Sequence, residues 1–152
     1  MKTYPLESEH LDLKGQYWFG DPCYVFPEDK WQELCRLMWP NGRDFDDTNA
    51  VRVVEVDGEK CYLIGTAYGD GCYPLVKNEN VVGELGVDAG MLSMIPMKLV
   101  KSEGWGKTAR CGVKLTLDGT VQRISVDDGD FTYGNIRMIT SDNYDDDTEQ
   151  NY

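Results

Sequence analysis

Three Asp-Gly pairs, at Asp57-Gly58, Asp118-Gly119 and Asp128-Gly129, each stand between two short runs of β-prone residues. Asp-Gly suits the two central positions of a tight hairpin turn, so the flanking runs are expected to pair antiparallel. The first case is the clearest: Val51, Val53, Val54 and Val56 lead into the turn, and Cys61-Tyr62-Leu63-Ile64 leave it. From there short β-prone runs alternate with turns: Tyr73–Val76, Val81–Val87, Met91–Val100, Ala109–Leu117, Thr120–Val126 and Phe131–Ile139. This rhythm predicts an antiparallel sandwich or a small barrel. Residues 9–19 alternate loosely and end in Tyr17-Trp18-Phe19, which predicts one more strand.

One stretch follows a helical period. Pro27 sits at a first helical position, and Glu28 and Asp29 place negative charge in the first turn. Trp31, Leu34, Cys35 and Met38 then form a single apolar stripe, and Pro40-Asn41-Gly42 stops the run. The spacing predicts one main helix over about 27–39, its stripe packed as core with Cys35 as a small buried hydrophobe. The chain therefore reads as a β-dominated α+β protein, one globular domain over residues 1–140. Residues 141–152 carry five carboxylates and no basic group, the composition of a disordered, solvated tail.

A net charge of -12 opposes direct nucleic-acid binding and docking on anionic membranes, which need clustered Lys and Arg. No apolar run reaches the length of a membrane span, and the start resembles no secretory signal. Five cysteines without a C-x-x-C pair read as reduced thiols, which places the chain in a cytoplasm.

Candidate chemistry gathers in three glycine–aspartate boxes. Gly20-Asp21-Pro22-Cys23-Tyr24 follows Phe19, Gly69-Asp70-Gly71-Cys72-Tyr73 follows Tyr68, and Gly86-Val87-Asp88-Ala89-Gly90 is the third. Glycine permits close approach to the backbone, so Asp21, Asp70 and Asp88 could share a ligand or act as acid/base groups. Equally, each carboxylate can cap its own turn. Tyr24, Tyr68 and Tyr73 could stack on a planar ligand, Trp105 could close over it, and Lys107 beside Arg110 could meet a phosphate. Cys23 and Cys72 read as small buried residues at the start of strands, because neighbouring aspartates disfavour a thiolate. The one histidine, His10, is remote in sequence from every box, which weakens a nucleophilic triad. The cysteine spacings do not suit zinc, and no metal or other cofactor is expected.

At these residues the chain resembles a group of small, mostly uncharacterised proteins of bacteriophages and some bacteria. The likeness rests on Gly20–Tyr24, Trp31, Tyr68–Gly71 and Val87–Gly90 in that order. It implies a β-rich, cytosolic, phage-type protein acting in the host cytoplasm, and implies no reaction. The expected function is a non-catalytic binding protein that sequesters a small, nucleotide-like ligand or inhibits a host protein. The alternatives are an Asp-based hydrolase using Asp70 and Asp88 with Asp21 or a metal, and an acidic mimic of nucleic acid.

Overall fold

The structure, a computed structural model, describes residues 1–39, 48–101 and 111–141. Trp105, Lys107, Arg110 and the acidic residues from 142 onward lie outside the described residues, as does the side chain of Tyr24.

Three strands come first: β1 (Lys2–Pro5), β2 (His10–Leu11) and β3 (Lys14–Gly20). Helix α1 (Glu28–Met38) follows. Two hairpins come next, β4 (Arg52–Val56) with β5 (Glu59–Gly65), then β6 (Gly71–Lys77) with β7 (Asn80–Val87). Strand β8 (Met91–Pro96) precedes the last four, β9 (Gly112–Asp118), β10 (Gln122–Asp127), β11 (Asp130–Tyr133) and β12 (Ile136–Met138). They form two six-stranded sheets, ordered β1-β4-β5-β8-β3-β9 and β2-β10-β11-β12-β6-β7. The pairing is antiparallel throughout, and the sheets pack as a sandwich. Among the described residues both sheets end in edge strands without a further partner, so there is no closed barrel.

Two of the three Asp-Gly pairs form hairpin turns, whereas Asp118-Gly119 carries the chain from β9 in the first sheet to β10 in the second, with only Gly119 at positive φ. Asp57 and Gly58 take φ of 50° and 80°, Asp128 and Gly129 take 48° and 84°, the left-handed pair a two-residue hairpin requires. Asn78-Glu79, with φ of 51° and 67°, makes the same turn between β6 and β7 without a glycine.

Period-two alternation explains the layers. Trp18 and Phe19 are both fully buried, although neighbours on a strand point to opposite faces. Phe19 joins Tyr62, Ile64, Leu85, Met94 and Phe131 between the sheets. Trp18 faces the other way, among Phe26, Leu34, Leu63 and Ile95, where α1 covers the first sheet. A sheet covered on both faces needs apolar residues at every position, and β8 is buried along its whole length.

Four expectations change. The helix begins at Glu28, with Pro27 extended before it. Its buried residues are Leu34 and Met38; Trp31 and Cys35 sit half-buried at the margin, Trp31 edge-on to Trp39 with ring centres 6.1 Å apart. The run Met91–Val100 stops at Pro96, where a 3₁₀ turn, Met97–Leu99, takes over. The run Phe131–Ile139 splits at Gly134-Asn135 into β11 and β12. Among the described residues no helix is long and apolar enough to cross a membrane.

Candidate functional site

The three boxes meet at one end of the sandwich. Pro22 opens a 3₁₀ turn over Pro22–Tyr24, capped by Asp21, whose Oδ1 accepts the Cys23 N–H at 2.8 Å. Its other oxygen, Oδ2, accepts the N–H groups of Asp88 at 2.5 Å and Ala89 at 3.1 Å. Asp21 therefore caps its own turn and also ties the first box to the third. It has no solvent exposure. Burial pushes its carboxyl above the ordinary value, while the three amides favour the charged form and pull it back.

The second box joins through backbone. Thr66 N–H donates to Gly90 O at 3.0 Å, and Thr66 Oγ1 donates to Gly69 O at 2.7 Å. Tyr73 hydroxyl also donates to Gly69 O, at 2.9 Å. A Cβ on Gly90 would lie 3.7 Å from Gly69 Cα, and both glycines hold positive φ, so the turns abut. Asp70 and Asp88 are exposed and Tyr68 is 62% exposed, whereas Tyr73 is buried. The loops thus converge, with Asp21 pointing into amides while Asp70 and Asp88 are exposed. Among the described residues no group of three or more His, Cys, Asp or Glu could hold a metal ion.

Two further findings concern thiols and the histidine. Cys72 is exposed rather than buried, and Cys23 is half-buried. Burial, then the Asp21 carboxylate, pushes the Cys23 thiol far above its ordinary value, so it stays protonated. His10 is exposed on β2, paired in register with Arg123 at the other end of the molecule.

A second buried aspartate sits beside this cluster. Asp130 Oδ1 accepts the N–H groups of Thr140 and Ser141, each at 2.9 Å, and Oδ2 accepts the Ser141 hydroxyl at 2.8 Å. Thr140 Oγ1 accepts the Ala67 N–H at 3.0 Å and donates to Gly129 O at 2.5 Å. Sequence reasoning missed Asp130; its only signal was an acidic residue opening a β-run beside an Asp-Gly turn.

The opposite end is open. Strand β3 runs from Lys14 there to Gly20 at the boxes, and β6 runs back from Gly71 to Lys77, about 20 Å at the strand rise of ~3.3 Å per residue. Between the strand ends lies a cleft of about 340 Å³. Leu13, Leu115, Leu117, Tyr133 and Ile136 give it an apolar wall, and Lys77, Thr116, Asp118, Thr120, Gln122 and Asn135 supply polar groups. Tyr133 hydroxyl braces it, donating to Leu11 O at 3.1 Å and accepting the Leu13 N–H at 3.3 Å. The Lys77 ammonium has no carboxylate within 4.0 Å among the described residues. Of the candidates among the described residues, none of Asp21, Tyr68, Asp70, Tyr73 and Asp88 lines the cleft.

Comparison with protein-family models, with curated proteins and with solved structures returns no match to this chain.

Proposed function

We propose that this chain is a non-catalytic binding protein that takes a small ligand bearing an anionic group into the cleft at the open end of its sandwich. The observation that carries the reading is the cleft itself, about 340 Å³, where an apolar wall faces polar side chains that include the Lys77 ammonium and the Asp118 carboxylate. That size lies within the range of small-molecule sites. Lys77, without an ion pair among the described residues, is the one cation lining the cleft, and an anionic group would sit toward it and away from Asp118. Mononucleotides are the first class to test, with the phosphate toward Lys77 and the base against Leu13, Tyr133 and Ile136. On the resemblance of its boxes to small phage proteins, the setting we propose is the cytoplasm of an infected cell.

Isothermal calorimetry against mononucleotides, cyclic nucleotides and small organic phosphates tests the reading. Binding by at least one of these is expected, weakened about tenfold or more by Lys77→Met, as befits loss of a charge-assisted bond of ~1.5–3 kcal/mol. Leu117→Trp, which fills the cleft, should abolish it. No binding anywhere on the panel, or binding indifferent to both substitutions, would overturn it.

A further inference from the structure

Each sheet of a sandwich ends in two strands with unpaired backbone groups, and proteins usually blunt such edges. Three of the four edges here are blunted. Strand β1 has four residues and ends in Pro5, and β2 has only two. Strand β7 carries Gly83 and Gly86, and its register with β6 shifts at Leu75/Val76, leaving Val82 as the extra residue of a bulge. Strand β9 has none of these devices. It pairs with β3 without interruption from Gly112 to Asp118 and contains no proline.

The direction of its free groups follows from the bonds at its ends. Asp21 N–H donates to Cys111 O and Gly119 N–H to Leu13 O, at 2.8 and 3.0 Å. Antiparallel bonding alternates, so Val113, Leu115 and Leu117 bond to β3, while the N–H and C=O of Lys114, Thr116 and Asp118 point away from it.

We infer that a second copy of this chain pairs with β9 across a two-fold axis at Thr116, joining the two first sheets edge to edge. In this register Lys114 faces Asp118 of the second copy, twice, and Thr116 faces its own counterpart. These are favourable cross-strand pairs, made by the residues whose backbone groups are free. A register centred on Lys114 or on Asp118 sets like charges together, and one centred on Leu115 or Leu117 matches neither pair. Next to the edge, a Cβ on Gly83 would lie 4.0 Å from Val113 Cγ1, which sets β7 alongside. Val81 and Val82, immediately before it, are 53% and 55% exposed, apolar surface that association would cover. The inference needs only the β9 edge, but Thr116 and Asp118 also line the cleft, so its test is run without ligand.

Sedimentation equilibrium of the full chain without ligand tests it. The expected result is a species of twice the 17.2 kDa chain mass at submillimolar concentration. Lys114→Asp and Asp118→Lys should each weaken association about tenfold or more, and the double variant should restore it. Thr116→Pro removes an N–H that faces away from β3, so the fold should survive and the dimer should not. A monomer at every concentration, a dimer unaffected by Lys114→Asp and Thr116→Pro, or a double variant that fails to restore association would each overturn it.

Discussion

The two ends of the sandwich are built on opposite plans. At the box end, polar groups are turned inward and matched: Asp21 takes three backbone N–H groups, Asp130 takes two and a hydroxyl, and Ser93 Oγ donates to Gly20 O at 2.7 Å. At the open end Lys77 and Gln122 line a cleft with no ion pair or side-chain bond to another described residue. Buried polar groups fully matched by their neighbours specify a fold and leave no lone pair for a ligand. Unmatched polar groups lining a cleft leave room for one. Sequence motif density therefore marks, in this chain, where loops are tied together.

The largest expected effect is at Asp21. Asp21→Ala leaves three amides without their acceptor in a site closed to water, and should cost on the order of 3 kcal/mol or more in urea unfolding. Asp70→Asn, at an exposed neighbour in the same cluster, should stay within about 0.5 kcal/mol of wild type. Equal losses in the two variants would break the contrast between a buried latch and an exposed loop.

Gly112→Ala comes next. Its Cβ would be placed 2.5 Å from Trp18 Cζ2 and closer still to Phe19 O, both in rigid buried surroundings. A loss of about 2 kcal/mol, typical of overpacking, is expected in the same unfolding assay.

Smaller is the pH dependence at the open end. The Thr120 N–H, donating to Asp118 Oδ1 at 2.9 Å, holds that carboxyl below its ordinary value of 3.8. A carboxyl lowered in the folded state adds stability that is present above 3.8 and lost as pH falls through the lowered value. Asp118→Ala should flatten the stability profile in that acidic window and leave neutral stability little changed. Smallest is a chemical readout: native alkylation should label exposed Cys72 before Cys61, which is buried and pushed up to about 12.

Local chemistry was legible in the sequence; long-range matching was not. Asp57-Gly58 declares its hairpin because a left-handed turn has few acceptable residue pairs. The helix declares itself through its 3.6-residue stripe, and the β-sandwich through its spaced turns. Asp21 declares its own turn through the following proline, but nothing near it announces that Asp88 and Ala89 will come to its second oxygen from 67 and 68 residues away. Asp130 finds Thr140 and Ser141 only because β11 and β12 fold back at Gly134-Asn135, a turn hidden inside an apolar run. The cleft draws on residues from Leu13 to Ile136, each unremarkable as a strand-end leucine, lysine or amide. Strand β1 escaped notice because four residues ending in proline carry little period.

The most direct measurement is amide shift mapping by NMR during titration with the tightest-binding nucleotide or phosphate of the calorimetric panel. The division between a tied end and an open end predicts shifts at Lys77, Leu115, Leu117 and Gln122, with Asp88 and Ala89 unmoved. Shifts centred on Tyr68, Asp70 and Asp88, with the cleft residues still, would contradict it.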